Sequence, residues 1–276
     1  MKSLEDFLAH IRCLNIKLWL EGESLRYSAT KGALSPALRT EIKERKTEIV
    51  NFLHKVTPIS GTTLPPVQPL SRDEVLPLSF SQQRLWFLHQ LEKESAAYHL
   101  PTALRLTGVL NIEALEKSLT EIIRRHEILR TTFSMQDGKA VQIIAPVQPM
   151  TLQKIDLSLS AEQSAKVQQI FTAEFHRSFE LSKGPLLRGT LLQLGEKEHV
   201  LLLIMHHIIS DGWSRGIFYR ELSALYDAFG NGQPSPLSEL PIQYIDFAAW
   251  QRTFLQGEVL DEQLSYWKKQ IDGFTT

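Results

Sequence analysis

The sequence predicts a mixed protein, α+β to α/β in class. It reads as a small αββα(α) domain followed by a larger lobe with a central sheet and flanking helices. Three observations lead there. A proline-rich stretch without helical or strand period, "VTPISGTTLPPVQPLSRDEVLP" at residues 56–77, interrupts the chain. In front of it a helical pattern, an alternating pair and a second helical pattern follow one another. Behind it, strand-like and helix-like stretches alternate to the end. The expected division is a domain over residues 1–55, a linker over 56–76 and a lobe over 77–276.

In the first segment Ser3 and Asp6 read as a capping box, with Leu4, Phe7, Leu8 and Ile11 at helical spacing behind them. "IKLWLEGESLRYSA" alternates. A tight turn at Gly22 makes it a hairpin of residues 16–21 and 24–29. Leu18, Leu20, Leu25 and Tyr27 then share one face, and Lys17, Trp19 and Arg26 the other. Ser35 is a good N-cap and Pro36 suits the first helical turn. Leu38, Ile42, Ile49, Phe52 and Leu53 supply an apolar stripe on one bent helix or two. A domain this small buries little surface, so a homodimer or another partner would help it. Two readings of the outer hairpin face stay open. Lys17, Trp19 and Arg26 form a docking contact, or the last helix covers Trp19. The free hairpin edges suit an extended peptide added as a strand. Ten Lys/Arg against seven Asp/Glu in residues 1–55 tilt that peptide towards acidic.

In the second segment "TALRLTG", "LRTTF" and "AVQIIA" read as strands. "NIEALEKSLTEIIRRHE" reads as a helix with Ile112, Leu115, Leu119, Ile122 and Ile123 inward. Ser160 and Gln163 form a capping box for a helix running towards residue 177. "LLRGTLLQL" and "HVLLLIMHH" are strands joined at "GEKE". The second is apolar nearly throughout, as a strand covered on both faces is. "WSRGIFYRELSALYDAFG" is a helix closed by Gly230, and "QYIDFAAWQRTFL" and "DEQLSYWKKQI" are two more.

A net charge of −1 over 276 residues argues against a broad nucleic-acid surface. No apolar run reaches the roughly 20 residues that cross a bilayer. "MKSLEDFLAHIRCL" carries acids early and has no long apolar core, so no signal peptide is expected. Cys13, the single cysteine, allows no internal disulfide and excludes a multi-cysteine zinc site. A cytoplasmic location is expected, with Cys13 as a core residue.

The stretch "LLLIMHHIISDGWS" at 201–214 carries the chemistry. Two histidines end a buried strand, a short loop follows, and a helix begins. Strand ends of α/β proteins are where ligands meet the sheet. Adjacent strand residues face opposite ways, so one histidine can face a cleft while the other faces packing. Asp211 can cap the helix, pair with an arginine or orient a histidine. Gly212 lets the chain turn tightly and brings an N–H close to a ligand. Four readings remain open on these residues. They are a metal site, although no H-x-H or H-x-x-x-H spacing is present; a Ser-His-Asp hydrolase, although no G-x-S-x-G elbow is present; a purely structural histidine pair; and a histidine that acts on a substrate proton.

"MHHIISDGWS" resembles the HHxxxDG motif of the condensation domains of nonribosomal peptide synthetases. Three further stretches resemble motifs of that family in the same order: "SFSQQRLWFL" (79–88), "RHEILRTTF" (125–133) and "YIDFAAW" (244–250). The first 55 residues resemble the N-terminal docking domains of the tubulysin-synthetase type. Heterocyclisation variants carry an aspartate in place of the motif histidines, so His206 and His207 speak against that branch. A docking domain in front fits a condensing module better than an epimerisation domain.

The resemblance implies a lobe of chloramphenicol-acetyltransferase type. Complete condensation domains have two such lobes with the active-site tunnel between them. The chain ends soon after the fourth motif, so the C-terminal lobe is expected to be missing and the piece to fold or bind without turning over alone. The implied reaction joins a donor acyl thioester to an acceptor amino acid, each carried on the 4'-phosphopantetheine arm of a carrier protein. The chain itself is expected to bind no cofactor and no metal. Its implied partners are donor and acceptor carrier proteins and the C-terminal tail of an upstream synthetase or polyketide synthase subunit.

His207 matches the tunnel-facing histidine and would take a proton from the amine or position it. Gly212 would offer an N–H to the thioester oxygen. His206 would be structural, and Asp211 would pair with Arg125 or Arg130. Arg84 and Trp86 would be scaffold, and His126 a packed, hydrogen-bonded residue. Trp213 would line the tunnel or sit in the core. Two other readings remain: a docking module only, and a stand-alone acyltransferase of the same fold.

Overall fold

The computed structural model describes residues 4, 7–8, 11, 14, 16–21, 24–29, 34–56 and 64–273. The chain divides into two compact units, Met1–Pro65 and Pro66–Thr276.

In the first unit residues 4, 7, 8 and 11 are helical. Strands β1 (Lys17–Glu21) and β2 (Ser24–Ser28) pair antiparallel, with Leu18 opposite Tyr27, Trp19 opposite Arg26 and Leu20 opposite Leu25. That register sorts the two faces as the alternation predicts. Leu18 and Leu25 pack on a core of Phe7, Ile11, Ile16, Ile42 and Ile49. Tyr27 shares their face yet stays 49% exposed. Two helices follow, α1 (Pro36–Glu44) and α2 (Lys46–Val56), separated at Arg45. The Ser35 hydroxyl accepts the N–H of Leu38 at 3.2 Å, and Pro36 occupies a position where no N–H is needed. The αββαα order is the one the sequence predicts. Ser3, Asp6, Cys13 and Gly22 lie outside the described residues, as do the side chains of Lys17, Leu20 and Leu53.

The second unit is built on a four-stranded sheet in the order β4-β9-β8-β7. Its strands are β4 (His99–Thr107), β7 (Gln153–Asp156), β8 (Leu187–Gly195) and β9 (Glu198–His206). β9 is central and antiparallel to both neighbours, whereas β7 runs parallel to β8. Being central explains the continuous apolar run of β9, which has cover on both faces. On one face Leu201, Leu203 and Met205 join the main core with helices α4 (Ile112–Arg125) and α6 (Gly212–Gly230). On the other, Leu192 and Leu202 pack under Val167, Ile170 and Phe171 of α5 (Gln163–His176). At Gly189 in β8 the side-chain tips of Leu152 and Met150 come close, 2.5 and 2.7 Å from where a Cβ would sit.

A second sheet, β3-β6-β5, comprises β3 (Leu76–Pro77), β5 (Thr131–Gln136) and β6 (Lys139–Ile144). Residues 127–130 form a 3-10 turn, so the strand read in "LRTTF" begins only at Thr131. β3 and β7 were not legible; with two and four residues they are too short to show a period.

The capping box expected at Ser160 and Gln163 does not form. Helix α5 begins at Gln163 itself, whose side-chain amide donates to the carbonyls of Leu157, Ser158 and Leu194. A capping box forms instead at the head of α3 (Phe80–Leu91). There Ser79 Oγ accepts the N–H of Gln82 at 3.2 Å and Gln82 Oε1 accepts that of Ser79 at 2.9 Å. Gly230 is the last residue of α6 and does not close it. The left-handed glycine is Gly232, at φ +69°.

Helices α7 (Tyr244–Phe254) and α8 (Gly257–Ile271) end the unit. α8 buries no residue and leaves Leu260, Leu264, Trp267 and Ile271 exposed along one stripe. Among the described residues no helix is long and apolar enough to cross a membrane.

Candidate active site

The two adjacent histidines diverge as strand geometry requires. His206 closes β9 opposite His99 and is 2% exposed. Its Nδ1 accepts the N–H of Ile208 at 3.1 Å, and its ring meets those of His89, His99 and Phe179 edge-on at 5.9 to 6.1 Å between centroids. His206 is thus the packed, hydrogen-bonded member of the pair. Burial, reinforced by His89, His99 and His207, pushes its imidazole down to about 3.

An unfolded imidazole titrates near 6.5. Between pH 6.5 and 3 the unfolded chain therefore binds a proton that the folded chain refuses, so stability falls as pH drops through that window. Each pH unit costs about 1.4 kcal/mol for this group once below its unfolded value. Burial lowers His89 and His99 as well, which adds to the effect. Thermal melts from pH 7 to pH 4 should show a steep fall in Tm that is shallower in His206→Asn. Parallel profiles would refute a neutral buried imidazole.

His207 continues the ladder one rung past the strand, its N–H donating to the Tyr98 carbonyl at 2.8 Å. Its ring emerges on the opposite side from His206, into a cavity of about 480 Å³. Nδ1 lies 2.9 Å from the Ser210 carbonyl. A carbonyl only accepts, so Nδ1 carries the hydrogen. In the neutral ring the lone pair is then on Nε2, which is not sealed from the cavity. The loop itself fixes the tautomer a base needs. Because the imidazoles point away from each other, they do not converge on one ion.

Asp211 does not pair with Arg125 or Arg130, contrary to expectation. It is the N-cap of α6 and accepts the N–H and hydroxyl of Ser214 at 2.7 and 2.6 Å. Those two donors hold its carboxyl below the usual carboxylate range. An N-cap is the cheaper use of a short acid directly before a helix. Asp211→Ala should therefore cost about 1 kcal/mol in denaturant unfolding. A loss of several kcal/mol would restore the buried ion pair.

Gly212 is the first residue of α6, exposed, with no positive φ and open space where a Cβ would sit. The tight turn expected there is absent. Its N–H belongs to the unpaired first turn of the helix. Trp213 is 87% exposed, so it is not core.

Arg125 and Arg130 are engaged elsewhere. Arg125 Nε contacts Glu221 Oε1 at 3.2 Å, and its Nη1 donates to the Ser238 carbonyl. Arg130 donates to the Ala145 carbonyl at 2.5 Å. Glu221 also takes His126 Nε2 at 2.7 Å, so His126 is hydrogen-bonded as expected. Arg84 is not scaffold: it is exposed and lines the cavity, whereas Trp86 packs against the core.

The sequence reading missed Glu221, although a signal exists. Phe218, Glu221, Leu222 and Leu225 are the buried residues of α6, and that spacing puts an acid inside an apolar stripe. Arg125 likewise ends the stripe of Leu115, Leu119 and Ile122. Asp246 of "YIDFAAW" was also missed. It is 1% exposed and accepts from Leu70 N at 2.9 Å, Gln243 N at 2.6 Å and Arg72 Nη1 at 2.6 Å. Burial alone would raise its carboxyl, but Arg72 and the two N–H groups outweigh burial and hold it low. Gln243, from the cavity wall, joins the second and fourth motifs through Arg125 O at 2.9 Å and Glu127 N at 3.1 Å.

In the first unit Trp19 is 44% exposed, so the last helix does not cover it, and Arg26 stands opposite it in the register. Lys17 lies on β1, with its side chain outside the described residues.

A sheet-end imidazole of fixed tautomer thus opens on a cavity in a two-sheet unit. The condensation-domain family model matches residues 72–276, and the TubC N-terminal docking domain model matches residues 4–55. The chain belongs to the condensation-domain family of the nonribosomal peptide synthetases, with a docking domain of the TubC type in front.

It is 52% identical over 214 residues to one component of the linear gramicidin synthase of Brevibacillus parabrevis, covering 77% of this chain and 3% of that protein. It is 51% identical over 207 residues to malpinin synthetase of Mortierella alpina, covering 75% and 3%. Among solved structures, the X-domain from teicoplanin biosynthesis superposes with a TM-score of 0.68 at 31% identity, over 76% of this chain and 46% of that one. The starter condensation domain of rhizomide synthetase, at 21% identity and a TM-score of 0.67 over 73% and 49%, shares the fold. The chain thus spans a small part of its curated relatives.

Proposed function

We propose that the cavity beside His207 is an amide-forming site. A donor acyl thioester and an acceptor amino acid meet there, each delivered on the 4'-phosphopantetheine arm of a carrier protein. The observation that carries this is the Nδ1–H of His207 donated to the Ser210 carbonyl, which leaves Nε2 as a base facing the cavity. The α-amine attacks the thioester carbon, the N–C bond forms and the C–S bond breaks. The amine proton passes to Nε2 and on to the departing thiolate. An N–H from the first turn of α6, with Gly212 as its first residue, faces charge developing on the thioester oxygen. Intact-mass analysis of the carriers in a full synthetase tests this. Wild type should give the joined product, and His207→Ala should leave both carriers loaded and unjoined.

The front unit is read as the receiver of an upstream synthetase or polyketide synthase subunit, whose C-terminal tail adds as a strand to the β1–β2 hairpin. The half-exposed Trp19 beside Arg26 supports that face as the contact. A homodimer through the same unit remains part of the reading, because so small a core gains from further burial. Calorimetry with acidic tail peptides should show weaker binding by Trp19→Ala and Arg26→Glu. Equal affinity in all three proteins would remove the hairpin face.

A further inference from the structure

A second imidazole faces the cavity. His126 follows the last residue of α4 and lines the same wall system as His207. Its Nε2 lies 2.7 Å from Glu221 Oε2, and a carboxylate only accepts, so Nε2 carries hydrogen. The other oxygen of Glu221 takes Arg125 at 3.2 Å. Glu221 is thereby neutralised by one neighbour and fixes the ring of the other. In neutral His126 the lone pair is on Nδ1. That atom has no hydrogen-bond partner among the described residues and is not sealed from solvent; the side chain is 22% exposed. The cavity is therefore walled by two imidazoles, each tied back through one nitrogen and open at the other. Both imidazoles belong to the lining of one cavity of about 480 Å³.

We propose that His126 is the second contact of the attacking amine and that it separates amine from hydroxyl acceptors. This rests on the amide-forming reading of the cavity. A free α-amine has one lone pair and two hydrogens. The lone pair attacks, and one hydrogen leaves through His207. The other stays on nitrogen as the amide hydrogen, and His126 Nδ1 accepts it as a hydrogen bond without exchanging a proton. An α-hydroxy acceptor has no such second hydrogen.

The sharp variant is His126→Lys, whose ammonium still donates to Glu221 but carries no acceptor to offer the cavity. The test uses the full synthetase with soluble N-acetylcysteamine thioesters as acceptors, comparing an α-amino acid that wild type accepts with its α-hydroxy analogue. His126→Lys should raise KM for the amino acceptor about tenfold, the worth of one hydrogen bond, with kcat and the donor KM unchanged. It should leave the hydroxy acceptor's kcat/KM at the wild-type value. Equal losses with both acceptors, or no loss with either while His207→Ala is inactive, would overturn the role of His126 alone. Product formation by His207→Ala near the wild-type rate would overturn the reading of the cavity itself.

Discussion

His207→Ala is expected to lower single-turnover amide formation by roughly 10²–10⁴-fold, the usual worth of a positioned base. Carrier loading should stay at the wild-type level, because the change sits at a strand end that keeps its own backbone ladder. His207→Asn sharpens the result. An Asn amide can still donate to the Ser210 carbonyl, as Nδ1 does now at 2.9 Å, yet it offers no basic nitrogen. Both variants should be equally slow. If Asn kept most of the rate, positioning alone would be the role. If Ala kept it, the imidazole would have no part in the reaction.

Asp246→Ala should destabilise the second unit by roughly 3–5 kcal/mol, the usual cost of removing one partner of a buried ion pair. The carboxylate at 1% exposure accepts the N–H of Leu70 and of Gln243 and holds Arg72. Gln243 in turn supports the cavity wall at Arg125 and Glu127. Denaturant unfolding measures the loss, and Asp246→Asn should fall between the two because it keeps an acceptor without the charge. A cost below about 1 kcal/mol for Ala would mean that water replaces the carboxylate at no penalty.

Much of this was legible in the sequence because the long elements carry clear periods. β9 reads as apolar throughout, α4 and α6 show helical stripes, and the hairpin of the first unit alternates cleanly. The divergence of His206 and His207 also follows from strand geometry alone. What escaped was decided by partners far along the chain. Asp211 had a local solution in Ser214, three residues on, and took it instead of an arginine. Glu221 found Arg125 and His126 across 96 and 95 positions, which no local pattern announces. The expected cap at Ser160 failed because the Ser160 N–H donates to the Leu157 carbonyl at 2.9 Å, and the Gln163 amide is tied to the carbonyls of Leu157 and Leu194.

The Arg72–Asp246 contact joins positions 174 apart. A ribosome adding roughly 5–20 residues per second delivers the second partner about 10–35 s after the first. Until then Arg72 has Glu127, 55 positions along, as its carboxylate partner. The unit thus gains a second latch late in synthesis, and a nascent chain halted before residue 246 should hold Arg72 through Glu127 alone.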